Sequence, residues 1–165
     1  MPVGSKRCDG VAMLGGFHHV GVLTTDLDRL LAFYRTVFDA EPFFDGIDDG
    51  MRSALIDVGG SGFLHAFEVP EGQIPLAGKP KYQRGQLDHI ALTAPTKEVF
   101  RTLRRRALNA GATDGQVRDH GAAWVLKFRD PDGLEGDLMW TDPSAPLSAI
   151  RRYADASIAP WSKHA

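Results

Sequence analysis

The chain of 165 residues holds a single cysteine, Cys8. One thiol cannot close an intrachain disulfide or build a thiolate metal site, so any metal here must be held by His, Asp or Glu. No run of eighteen apolar residues occurs, which excludes a helical membrane span, and the stretch before Phe17 lacks the apolar core of a secretory leader. The expected location is therefore cytoplasmic. A dominant charge is lacking too: 19 Lys and Arg stand against 21 Asp and Glu, a net charge of −2. The one basic run, Arg104-Arg105-Arg106, falls inside a helical pattern and reads as a solvated helix face. Nothing supplies the broad basic surface with interleaved aromatics that nucleic acid requires. What is left, 43 % hydrophobic and 24 % charged residues, is the composition of one globular domain large enough for a real core.

What the chain does have is a repeat. His18-His19-Val20-Gly21-Val22 and Asp88-His89-Ile90-Ala91-Leu92 lie seventy residues apart and have the same pattern. Each leads into a helix start, with Asp26 and Thr96 as N-caps. Leu27, Leu30, Leu31, Tyr34, Val37 and Phe38 form one apolar stripe, and Val99, Phe100, Leu103, Ala107 and Leu108 form the other, which stops at Gly111. Three strands follow each helix: about 41–45, 51–58 and 62–69, then about 116–119, 123–129 and 135–140. Asp130-Pro131-Asp132-Gly133 suits the tight turn before the last of them. The organisation expected is a polar tail over 1–16, one domain over 17–142 and a tail or short helix over 143–165. The domain comprises β-α-β-β-β modules at 17–69 and 86–142, joined by a Pro- and Gly-rich loop at 70–85.

Residues two apart on a strand share a face. His19 and His89 therefore point away from the helix side, each with a small residue, Gly21 or Ala91, two places on. Aligning Phe63-Leu64-His65-Ala66-Phe67 with Glu135-Gly136-Asp137-Leu138-Met139 sets His65 and Asp137 at equivalent positions. A pseudo-two-fold axis between the modules would bring His19, His65, His89 and Asp137 to one point. Imidazoles with a carboxylate suit Fe²⁺, Zn²⁺, Ni²⁺, Co²⁺ or Mn²⁺. The competing reading is that each strand histidine is a hydrogen-bonded structural residue.

These motifs, together with Phe33-Tyr34 in the first helix and an acid four residues after Gly133, resemble the vicinal oxygen chelate superfamily of glyoxalases, bleomycin resistance proteins and dioxygenases. The resemblance implies an α+β fold in which two βαβββ modules form an open, cupped mixed β-sheet barrel with helices outside. It implies a metal on His19, His89 and Asp137, with His65 as fourth ligand or general base, that binds two adjacent oxygens of a small-molecule substrate. The expected activity is a lyase, isomerase or ring-cleaving dioxygenase; the alternative is a metal-free protein that sequesters a small ligand. The family places Glu where Asp137 stands, and its glyoxalases have Glu at His65. Ring-cleaving members carry a His matched by His120, a candidate acid/base, and a Tyr where this chain has Lys127. Phe67, Trp124, Met139 and Arg52 are candidate substrate contacts, and a homodimer is expected because related chains pair.

Overall fold

The computed structural model describes residues 17–48, 50–60, 62–70 and 87–162. The expected tail over 1–16 and nearly all of the loop at 70–85 lie outside the described residues. Period-2 alternation produces β1 (His19–Thr24), β2 (Pro42–Asp48), β3 (Met51–Asp57) and β4 (Phe63–Glu68) around helix α1 (Leu27–Phe38). The second module repeats the order with β5 (Ile90–Thr93), helix α2 (Lys97–Asn109), β6 (Val117–Asp119), β7 (Ala123–Arg129) and β8 (Glu135–Thr141). Both N-caps are the expected residues: Asp26 accepts from the Arg29 N–H at 2.9 Å and Thr96 from the Val99 N–H at 3.2 Å. Helix α1 ends at Asp39, which takes the left-handed conformation (φ 55°), while Gly111 (φ 68°) does so just past α2. A short acid at such a position satisfies the last carbonyls at modest strain.

Each module is one mixed sheet. The strand orders are β1-β4-β3-β2 and β5-β8-β7-β6-β9, where β9 is the short C-terminal strand Ser157–Ile158, with the first strand of each module parallel to its last. In the first sheet Gly21 pairs with His65; in the second Ala91 pairs with Asp137. The two repeats are therefore in register down to the residue, and His65 and Asp137 occupy equivalent places.

The helices cover one side of the sheets. Leu27, Leu30, Leu31, Tyr34, Ala54, Ile56, Leu64 and Ala66 form the first core, and Phe100, Val117, Trp124, Leu126, Leu138 and Trp140 the second. The cores interlock, because Ile90 of the second module is buried in the first core and Phe38 of α1 packs on both. On β8 the residues facing this side are Gly136, Leu138 and Trp140, all buried. A Cβ on Gly136 would meet the Phe128 ring at 2.2 Å, so this glycine makes room for that ring.

The C-terminal segment, expected as a tail or short helix, contains no α-helix among its described residues. It forms single turns at Leu147–Ala149, Tyr153–Asp155 and Pro160–Ser162, and a short strand β9 (Ser157–Ile158) beside β6. The prolines at 143, 146 and 160 interrupt a helix, and the outer edge of β6 offers bonds instead. The Arg151 N–H donates to the His120 carbonyl at 2.7 Å and the Ala159 N–H to the Val117 carbonyl at 2.9 Å.

Candidate metal centre

The other side of both sheets is open. In the first sheet it carries His19 and Gly21 from β1 with Phe63, His65 and Phe67 from β4. The His19 and His65 rings meet edge to face with centroids 5.7 Å apart, and Phe67 lies 4.0 Å from His65. Nothing lies within 4 Å of a Cβ built on Gly21, so the space beside these imidazoles is clear. His18 comes within hydrogen-bond distance of His19, Nδ1 to Nδ1 at 2.9 Å.

In the second sheet the same positions hold His89, Ala91 and Asp137, with Met139 two places on from the carboxylate. His89 Nε2 stands 3.6 Å from Asp137 Oδ2. The other ring nitrogen, Nδ1, is 2.7 Å from Asp88 Oδ2. A proton held between Nδ1 and Asp88 leaves the Nε2 lone pair directed at Asp137. Lys127, opposite Asp137 across β7 and β8, places Nζ 3.3 Å from Asp137 Oδ1. The carboxylate is only 14 % exposed, whereas the His89 ring is 38 % exposed.

These donors suit a divalent ion in chemistry and, for the second module, in spacing. Two donors bound to one ion at about 2.1 Å stand roughly 3.0–3.4 Å apart, so His89 and Asp137 need only a slight approach to share one. Among the described residues no group of three or more His, Cys, Asp and Glu gathers, and the four repeat-equivalent side chains stand as two pairs, one per module. His19 and His89 do line a common cavity of about 390 Å³ with Phe17, Phe63 and Leu87.

Other residues expected at the site lie away from it. Trp124 is on the helix side, 8 % exposed, with its ring 5.8 Å from Phe100 and 5.2 Å from Trp140. Its neighbours in strand alternation, Leu126 and Phe128, are core residues, and it follows them inward. Arg52 shares a face with Ala54 and Ile56 and is bound by Asp28 at 2.7 Å, Asp45 at 3.3 Å and Glu68 at 3.9 Å. It ties β2, β3 and β4 to the start of α1. His120 is buried beside the C-terminal segment, with Nδ1 2.8 Å from the Arg151 carbonyl. Phe67 and Met139 stay on the open side. Sequence reasoning missed Asp88 and His18 as partners of the ligand-capable imidazoles; the signal was their place immediately before each histidine in the repeat.

Two sheets of βαβββ modules, with a histidine opening β1, another just before β5 and a carboxylate on the last strand, define a vicinal-oxygen-chelate scaffold. The family model of the Glyoxalase/Bleomycin resistance protein/Dioxygenase superfamily matches residues 16–138, and the chain belongs to that superfamily. A search of the curated proteins finds no match. Among solved structures, a glyoxylase/bleomycin resistance protein/dioxygenase domain from Frankia sp. EAN1pec superposes with a TM-score of 0.64 at 23 % identity, covering 80 % of this chain and 96 % of that one. The fosfomycin resistance protein FosX from Listeria monocytogenes gives 0.58 at 19 %, covering 83 % and 98 %. Lactoylglutathione lyase from Agrobacterium tumefaciens gives 0.57 at 19 %, covering 81 % and 99 %. The Listeria protein has also been solved with Mn(II). At these identities the likeness is one of fold.

Proposed function

We propose that this chain is a divalent-metal-dependent enzyme of the glyoxalase and dioxygenase type, acting on a small substrate through two adjacent oxygens. Its centre is built by a homodimer: His89 and Asp137 from one copy, His19 and His65 from the other. The observation that carries this reading is the geometry of His89, held by Asp88 through one nitrogen with the other 3.6 Å from a largely buried carboxylate. The apolar side chains on the open side of the first sheet support the second copy. Leu23 is 53 % exposed, and Phe44 and Met51 are each 39 % exposed. Side chains of this kind, clustered beside a functional face, are what a partner covers.

When bound, the ion supplies Lewis-acid stabilisation of negative charge on a substrate oxygen. The chain's own residues do the rest. His89, His19 and Asp137 hold the centre, and Asp88 and His18 orient the two imidazoles. His65 either completes the ligand set or takes and returns a proton at the reacting carbon or oxygen. Phe67 and Met139 give the pocket apolar walls. The metal is of the Fe²⁺, Mn²⁺, Zn²⁺, Ni²⁺ or Co²⁺ class.

The second reading, a metal-free protein that sequesters a small molecule, is favoured by one observation. Lys127 already provides Asp137 with a counter-ion at 3.3 Å. Elemental analysis of protein purified without chelator separates the two, followed by oxygen uptake with catechols after Fe(II) loading and by lyase assays. One metal per chain that His89→Ala abolishes supports the enzyme. Ligand binding that survives EDTA, with no metal retained, supports sequestration.

A further inference from the structure

Strand pairing fixes which side chains share the open side of the first sheet. One row across it runs Leu23, Phe67, Ser53 and Gly46, and the row beside it runs Gly21, His65, Leu55 and Phe44. Ala54 and Ile56, which alternate with Ser53 and Leu55, are buried in the core on the helix side. Ser53 therefore faces the same way as His65, one strand over and one row on, a diagonal of roughly 7–8 Å.

Ser53 is 0 % exposed, and its hydroxyl has no hydrogen-bond partner among the described residues. A buried hydroxyl in this state has given up its hydration without a replacement, and such groups are rare in folded proteins. Phe67 stands beside it in the row on β4. On the other side β2 carries a bulge between Pro42 and Phe44, and the Phe44 ring lies over Gly46, 3.2 Å from the place of a Cβ on that glycine. Bulges of this kind re-aim side chains beside functional faces. Phe44 is 39 % exposed, so its ring can swing away without opening the core. Neither row carries an acid, a lysine or an arginine, so a charged guest would be left without a counter-ion.

We propose that the Ser53 hydroxyl is the polar end of a ligand pocket in the cup of the first sheet. It bonds a neutral hydroxyl or carbonyl oxygen on an aromatic ring, which takes the place of the Phe44 ring over Gly46 and packs against Phe67 and Leu55. A ring of benzene size covers the diagonal from Ser53, so its far side reaches the His65 imidazole. The proposal rests on the reading of this face as a substrate site and adds the substrate class and a specificity contact; the hydrogen bond itself needs no metal. Ser53 selects rings that carry an oxygen at that end, because any other guest leaves the buried hydroxyl unmet.

The test is a chemical-shift titration of the full-length protein in EDTA with phenol and with toluene, the same ring bearing a methyl in place of the hydroxyl. Phenol is expected to move the Ser53, Leu55 and Phe67 amide signals and to bind more tightly than toluene. Ser53→Ala should weaken phenol about fivefold and leave toluene unchanged, with Ser53→Cys, a weak donor of similar shape, in between. Urea unfolding of the free protein supplies a second readout. Removing a hydroxyl that has no partner should leave Ser53→Ala at least as stable as the wild type. Phenol binding that Ser53→Ala leaves unchanged would overturn the proposal, as would phenol shifts confined to other faces. So would a Ser53→Ala protein markedly less stable than the wild type, since the hydroxyl would then have a partner in the free protein. Because the titration excludes metal, failure of the metal reading leaves these outcomes standing. Normal Mn(II) retention by Ser53→Ala, with phenol affinity lost, separates the ring contact from the metal ligands.

Discussion

A centre shared between two copies makes a counting prediction. His19→Ala removes a donor from the first module and His89→Ala one from the second, so neither homodimer keeps an intact site. Mixed and reassociated in equal amounts, the two variants form heterodimers as half of all dimers if pairing is random. Each heterodimer has one site built from the two untouched modules and one that lacks both histidines. The mixture therefore recovers about a quarter of the wild-type sites, read as tightly bound Mn(II) or Zn(II) per chain after gel filtration. His89 is 38 % exposed and His19 lies exposed at the start of its strand, so neither truncation opens a hole in a core. Both variants should keep the wild-type circular dichroism and melting temperature in the absence of metal. A mixture that binds no more metal than either variant alone would refute the shared centre and require the four donors to meet within one chain.

Other predictions test the supports of the site and the fold. Asp88→Ala removes the acceptor that holds His89 Nδ1 and should weaken metal affinity about 10- to 100-fold, with Asp88→Asn in between, as measured by competition with a chromogenic chelator. Gly136→Ala forces a methyl into the Phe128 ring and should cost about 1–3 kcal/mol in urea unfolding, whereas Gly21→Ala, on the open side of its sheet with clear space beside it, should cost far less. Asp130 is buried beside Tyr34, and desolvation raises its carboxyl above the ordinary value even though the Asp132 and Leu134 N–H groups donate to it. A raised acid binds more protons folded than unfolded, so its contribution is full below pH 3.8 and is lost as pH rises through the folded value. Asp130→Asn should therefore gain on the wild type between pH 3.5 and 7 in denaturant titrations. A difference between the two that stays constant with pH would refute this.

The strand pattern was legible because β4 and β8 largely alternate and because the repeat offers an internal check. The equivalence of His65 and Asp137 follows from aligning two stretches of sequence, and the pairings Gly21 with His65 and Ala91 with Asp137 express it in three dimensions. The same alternation, applied to β3 and β7, puts Arg52 with Ala54 and Ile56, and Trp124 with Leu126 and Phe128. A choice of substrate contacts by residue type alone passes over that. His120 is a different case. Its partner is a backbone carbonyl thirty-one residues on, in a segment whose path depends on tertiary bonding to β6. Whether four equivalent donors meet was not legible either, since that depends on which surfaces of two modules face each other.

The interlocked cores have a consequence for how the duplicated halves behave. Each module looks like a self-contained building block, yet Ile90 is sealed inside its neighbour's interior and Phe38 belongs to both. Tyr34 and Arg29 of the first helix reach Asp130 and Asp132 in the turn before β8. Neither half can bury its apolar surface alone, so the pair melts as a single cooperative unit and cannot be divided at the loop into two independent folds. Duplication here has produced two ligand-bearing faces that can diverge freely, one toward imidazoles and one toward a carboxylate with its lysine, on an interior that neither copy can abandon.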